Sequence, residues 1–409
     1  MIFARGHDQR SGRRPVQVRH FARVTGQRQD FDYLSYEQAL SRVDKLEELG
    51  NQYRKIEQKD RSAVQEHIVQ LWFRFLRYER LQRQLLGLHF TAPVAELYTP
   101  PQVSKPERGA RLPVREALLQ WVQGLQSINL ETLAEPPAVL LEHPLLQDDY
   151  LVHFLIQHYG QHFETMVMGL TQRALAADPV DYQVQEPITP AAPQPDTRTM
   201  VAGHYRVGGQ APAAYDNELP PQQADLGPYR IARQPVTNSE YLAFMEDGGY
   251  LSQSLWTEHG WHWQRQQDVQ CPVHWRSDPA GRWYGIGNRG PYALTGNDVL
   301  HGISRFEAQA FASWAGGRLP HEHQWEAACR LQLLEQTGRA WEWCDNSFYP
   351  YTGFKPFPYA EYSTPWFDDG HYSLRGGSLY TRPAIRRPSF RNFYQPQMRH
   401  IFAGLRLVF

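Results

Sequence analysis

Up to about residue 176, apolar residues fall at helical spacing. In SYEQALSRVDKLEELGNQYRKI, Ala39, Val43, Leu46 and Leu49 share one face ahead of a glycine stop, the pattern of an amphipathic helix. In SAVQEHIVQLWFRFLRYERLQRQLLGL, Val64, Ile68, Leu71, Phe75 and Leu76 do the same. Residues 91–113 are broken by prolines and predict a loop. VREALLQWVQGLQSI predicts a third helix and HPLLQDDYLVHFLIQHYGQHFETMVMGLTQRALA a fourth. Asp148 and Asp149 suit the start of that fourth helix and Arg173 its end. Four helices of this length predict an antiparallel bundle over residues 31–176.

The pattern then changes. Residues 177–198 are rich in proline and predict a linker. From 199 to 409 the apolar runs are short and punctuated by Gly, Pro, Trp and Tyr, as in MVAGHYRVGG, YRIARQPVTN, SLRGGSLYTR and FAGLRLVF. Two helices interrupt them. One, NSEYLAFMEDGG, is predicted to start at an Asn238/Ser239 cap; the other, SRFEAQAFASWAGG, stops at its glycines. This half predicts an irregular α+β domain.

Composition narrows the function. A chain of 409 residues with 41% hydrophobic and 21% charged residues suits a soluble two-domain protein. A net charge of −1 offers no pull toward nucleic acid or a membrane surface, and no apolar run is long enough to span a bilayer. The three cysteines, Cys271, Cys329 and Cys344, have no C-x-x-C spacing, which fits a reducing, cytoplasmic setting. Residues 1–30 are arginine-rich without an apolar core and read as a flexible basic tail rather than a secretory signal.

The chemistry starts with LIQHYGQHFETM. On a helix, His158 and His162 point off one face, as two metal ligands would. With 17 histidines in the chain, chance alone supplies roughly 0.7 such pairs, so spacing leaves open whether they are ligands or a polar surface.

The C-terminal half supplies context. QPVTNSEYLAFMEDGGY, GGRLPHEHQWEAACR, AWEWC, LRGGS and RPSFRNFYQPQMRHIFAGLRL resemble the formylglycine-generating-enzyme fold, a C-type-lectin-like α+β domain. EDGGY, FPYAEYS and the spacing of RNF with IFAGLRL resemble its ergothioneine-synthesising branch, the non-haem iron sulfoxide synthases. In that branch a DinB-like four-helix bundle precedes the lectin-like domain, the order expected here. The resemblance implies an Fe(2+) enzyme that uses O2 to join a thiol sulfur to the imidazole of hercynine, a trimethylated histidine.

It also implies roles residue by residue. His158 and His162 match the H-x-x-x-H-x-E iron motif, with Tyr159 and Gly160 where acids usually stand. Glycine there costs the helix about 1 kcal/mol, so close packing or a metal should justify it. The third ligand falls on His67, with His89 and His20 as alternatives, although the usual Gly-His pair is missing. Gln161 matches a residue that holds the imidazole substrate. Tyr359 and Tyr362 resemble paired active-site tyrosines, Tyr359 being the proton donor. Asn392 and Phe393 match contacts to the betaine, an aromatic ring suiting a quaternary ammonium. Arg108 and Arg111 match carboxylate-binding positions for the thiol donor. Tyr394 and Met398 replace an aspartate and an arginine that read γ-glutamylcysteine. Another thiol, free cysteine or a selenol, as in selenoneine-type C–Se synthases, is therefore expected as the donor.

Two other classes compete. A formylglycine-generating oxidase needs a late copper-binding cysteine pair, and no cysteine follows Cys344. A metal-free binding module on the same fold is the other, since fold alone does not dictate activity.

Overall fold

The structure, a computed structural model, describes residues 147–177, 182–358 and 362–409. The chain divides into two compact units, residues 1–152 and 153–409. The basic tail, the first three predicted helices, His20, His67, His89, Arg108, Arg111 and Tyr359 lie outside the described residues.

The fourth predicted helix forms as α1 (Tyr150–Leu175) and carries Arg173 in its last turn. The two acids expected at its start stand just ahead of it, with φ of 50° at Asp148 and 59° at Asp149. Along α1, Phe154, Gln157, His158, His162, Glu164, Val167, Met168, Thr171 and Gln172 are buried. That stripe repeats at three and four residues, as a helix laid on a domain requires. It is unusually polar, so its polar members need partners.

The segment after α1 is pinned rather than free. Val184 is buried beside Tyr284 and Ile286 and its N–H donates to Asp278 Oδ2 at 3.1 Å. The N–H of Ala191 donates to the Ser239 carbonyl.

The β-rich domain is built from four small sheets. Strand β1 (Thr197–Met200) begins inside the predicted linker. β2 (Gly203–Val207) and β3 (Gln222–Leu226) form a hairpin, and β4 (Tyr229–Ala232) returns to pair with β1. β5 (Trp275–Ser277), β6 (Trp283–Gly287) and β7 (Gly290–Ala293) form an antiparallel meander. β8 (Trp341–Ser347), β9 (Tyr372–Arg375), β10 (Asn392–Tyr394) and β11 (Ala403–Gly404) form the central sheet in the order β10-β9-β8-β11, with β11 parallel to β8.

Four helices, not the two expected, accompany these strands. Helix α2 (Asn238–Glu246) is capped one residue earlier than predicted, by Thr237, whose N–H donates to Glu240 Oε2 at 2.7 Å in a capping box. α3 (Glu258–Gln267) and α5 (Glu322–Arg330) escaped the apolar pattern because each is mostly polar. α4 (Arg305–Trp314) is capped by Ser304 and ends before Gly316, at φ +67°, as its sequence implied.

Between the elements lie buried ion pairs. Arg406 makes a bidentate contact with Glu342 at 2.7 and 2.8 Å, and Trp325 Nε1 donates to the same carboxylate at 2.6 Å. Arg399 pairs with Glu307 at 2.8 Å, and Tyr250 Oη donates to that carboxylate at 2.6 Å. Arg375 and Arg391 share Glu322. All these groups are essentially without solvent, where removing one member strands the other's charge. Arg406→Met is therefore expected to destabilise the protein by about 3–5 kcal/mol, read from the shift of its urea midpoint; a loss within experimental error would contradict the account.

Candidate functional site

The site is assembled on one side of α1. His158 and His162 are 7% and 8% exposed, and their Nε2 atoms lie 2.8 Å apart. Two neutral imidazoles meet this way when one Nε2 carries the proton. When neither does, both lone pairs face one point, as two adjacent nitrogen ligands of a divalent cation do. Phe154 stacks on His158 with ring centroids 5.6 Å apart and planes 17° apart, fixing that ring. Among the described residues, no group of three His, Cys, Asp or Glu side chains converges on a metal position. The described residues thus offer two imidazole nitrogens here as donors a divalent cation could use.

What aims the pair is Glu164. Its buried carboxylate accepts from Ser378 Oγ at 2.5 Å, Thr381 Oγ1 at 2.7 Å and Trp341 Nε1 at 2.7 Å. Burial raises its pKa, with those three hydrogen bonds opposing the rise. Glu164 is thus an anchor that fixes the rotation of α1. Gly160 serves the same contact. A Cβ there would lie 3.3 Å from Arg382 Cβ, so glycine lets the helix approach the turn Pro383–Ile385. Close packing therefore accounts for this glycine.

Gln161 occupies the next face. Its Oε1 accepts from Tyr362 Oη at 3.2 Å and Tyr215 Oη at 3.3 Å. The two phenol rings stack at 4.6 Å, and both meet Phe154 edge-on. Arg387 lies over the Tyr215 ring and pairs with Glu218. His158, Gln161, His162 and Tyr362 are thus brought together. Tyr215 joins them from AYDNE, a stretch whose composition offers no signal.

Three further candidates, Asn392, Phe393 and Tyr394, form β10. Phe393 stacks on Phe348 at 4.2 Å, so one of its faces is already covered. Asn392 Oδ1 accepts from the N–H of Phe393 at 3.0 Å. Tyr394 is buried with its ring edge-on to His400.

Phe357 and Ser363 both bond to Asp216. Asp216 accepts from Ser363 Oγ at 2.5 Å and from the N–H of Phe357 at 3.2 Å. Asn217 Nδ2 adds a bond to Ser363 Oγ at 3.0 Å. Burial pushes the Asp216 carboxyl up to about 6, against those hydrogen bonds.

The sulfatase-modifying factor enzyme 1-like domain matches residues 184–337 and 330–409. The hercynine oxygenase of Mycobacterium tuberculosis is 33% identical over 314 residues, 64% of this chain and 72% of that protein. The chain belongs to the hercynine oxygenase family. The hercynine oxygenase of Mycolicibacterium smegmatis is 31% identical over 305 residues, covering 62% of this chain and 70% of that protein. Ergothioneine biosynthesis protein 1 of Schizosaccharomyces pombe is 27% identical over 233 residues, covering 48% of this chain and 27% of that protein. The expected lectin-like second half of the chain is thereby established. Complete burial raises the Cys344 thiol far above its ordinary pKa, so it is not a ready thiolate. No helix among the described residues is long and apolar enough to cross a membrane.

Two outcomes follow from the anchors. Glu164→Leu leaves an indole N–H and two hydroxyls without their acceptor, and is expected to cost about 2–4 kcal/mol in a urea titration; a neutral effect would remove Glu164 as the anchor. Asp216 has a folded pKa above its unfolded value of 3.8. Its contribution is complete below about pH 4 and is lost as pH rises through about 6, a span of about 2–3 kcal/mol. Stability measured at intervals from pH 4 to 7 should fall in this way in the wild type and lose that slope in Asp216→Asn. An unchanged slope in the variant would assign it to other groups.

Proposed function

We propose that the chain is an Fe(2+)- and O2-dependent oxygenase that forms a C–S bond on the imidazole of hercynine or a related histidine betaine. A thiol is the partner, as in ergothioneine-type biosynthesis. The observation that supports this most is the convergence of the His158 and His162 Nε2 atoms, in a chain one third identical to a hercynine oxygenase.

In this reading His158 and His162 hold the iron from α1, and His67 completes the set from a DinB-like bundle. When bound, the metal supplies activation of O2. The protein's part is placement. Gln161 is clamped through Oε1 by two phenols, so its position relative to the histidines is fixed before an imidazole substrate arrives. Phe154, Tyr215 and Tyr362 form the apolar wall that keeps water from the reacting ring. Tyr359 is the proton donor. Asn392 and Phe393 face the betaine group, and Arg108 with Arg111 takes the donor's carboxylate. Tyr394 and Met398 bear no charge at neutral pH, so the donor is read as free cysteine, another thiol or a selenol rather than γ-glutamylcysteine.

The test begins with metal. Protein purified without oxygen and given Fe(II) should bind iron, whereas His158→Ala and His162→Ala should each bind at least about tenfold less while keeping their far-UV circular dichroism. O2 uptake with hercynine and a panel of thiols and a selenol then identifies the donor. Equal iron in wild type and variants would refute the ligand assignment. Negligible iron in all of them would favour a metal-free binding module.

A further inference from the structure

A separate cavity of about 310 Å³ lies in the lectin-like domain between the β6–β7 turn, the start of α2 and the segment at Leu379 and Tyr380. That volume suits a small metabolite. Its walls are held in place. Tyr292 lies so close over Gly285 that a Cβ there would fall 2.3 Å from the ring. Tyr380 packs on Phe402, centroid to centroid 4.6 Å.

The polar groups are specific. His301 borders the cavity and its Nδ1 is 3.0 Å from Nδ1 of His274. His274 is fully buried, and its Nε2 has no hydrogen-bond partner. A buried N–H left orphaned is costlier than a bare acceptor nitrogen. His274 therefore carries its proton on Nδ1 and donates it to His301. His301 must then carry its own proton on Nε2, the nitrogen away from His274. Burial keeps both rings neutral at pH 7, His301 being pushed down to about 4.

Arg289 and Arg339 also line the cavity. Both are solvent-exposed, and neither has a salt bridge or hydrogen-bond partner among the described residues, whereas the buried Arg375, Arg391, Arg399 and Arg406 are paired with carboxylates. Acceptors are present as well. Asp298 lines the cavity. Asn238 does too, spending its Nδ2 on the Thr295 carbonyl and keeping Oδ1 as an acceptor.

We propose that this cavity is a second ligand site for a small amino-acid-class zwitterion. Arg289, Arg339 and the His301 Nε2–H take its carboxylate, Asp298 and Asn238 Oδ1 take its ammonium, and Tyr292 and Tyr380 flank a flat side group. The fork of a guanidinium matches a carboxylate. The aromatic walls favour a ring or a cation. None of these residues belongs to the His158–His162 site, so the assignment stands apart from the proposed activity.

L-histidine is a suitable probe because it has both charges and a ring, and histamine is its counterpart without the carboxylate. Calorimetric titration of the full chain without iron should show L-histidine binding at least about tenfold tighter than histamine. Arg289→Ala combined with Arg339→Ala should weaken L-histidine at least about tenfold, and the matching double lysine variant, which keeps charge but loses the fork, by several-fold. His158→Ala combined with His162→Ala should leave that affinity within about twofold. Three results would overturn the assignment: no L-histidine binding up to about 10 mM, undiminished binding in both arginine variants, or binding lost only with the histidine pair.

Discussion

The candidate site depends on one buried carboxylate. Glu164 carries α1 into the lectin-like domain and meets three donors there, from β8 and the segment after β9. Removing a carboxylate from water costs several kcal/mol, and three charged hydrogen bonds return a similar amount. The net gain in stability is small. What the contact does supply is register, because no other rotation of the helix satisfies all three donors. At about 100° per residue, His158 lies about 120° around the helix from Glu164, with Gln161 between them. Once Glu164 is seated, the amide must turn toward Tyr215 and Tyr362 and the imidazoles toward the adjoining flank.

Gly160 shows the same priority. A glycine in mid-helix sacrifices about 1 kcal/mol of propensity, and here it stands one turn before Glu164, over Arg382 and Ile385. A Cβ there would crowd Arg382 Cβ at 3.3 Å, so helix or turn would have to give by a few tenths of an ångström. Local stability is given up for the approach that the anchor needs.

The phrases that made the second half recognisable in the sequence are mostly architectural. Glu322 and Glu326 in PHEHQWEAAC, Glu342 in AWEWC, Arg375 in LRGGS, and Arg391, Arg399 and Arg406 near the C-terminus are members of buried ion pairs. Such pairs tolerate little substitution once buried, so they leave a legible trace even across irregular strands. The lectin-like fold was therefore readable, while α3 and α5, polar along most of their length, were not. At the site, the histidine spacing was visible but its meaning was not. Convergence of two nitrogens depends on the partners of Glu164, which lie 177, 214 and 217 residues away. Tyr215 was invisible for the same reason: its role comes from a contact with Gln161 across 54 residues, which no local pattern encodes.

The two ways in which this domain treats arginine separate structure from recognition. Arginines that hold the fold are buried and paired with buried carboxylates, as Arg406 is with Glu342. A guanidinium left at a cavity without such a match gives no support to the fold there, yet keeps its full capacity to bind a planar anion. The same reasoning applies to the histidines. His274 and His301 are locked to each other as a neutral pair beneath a cavity, whereas His158 and His162 bring their Nε2 atoms within 2.8 Å of each other. The first pair meets through its Nδ1 atoms and the second through its Nε2 atoms. The difference lies in which nitrogens meet, and that is set by the packing behind each ring.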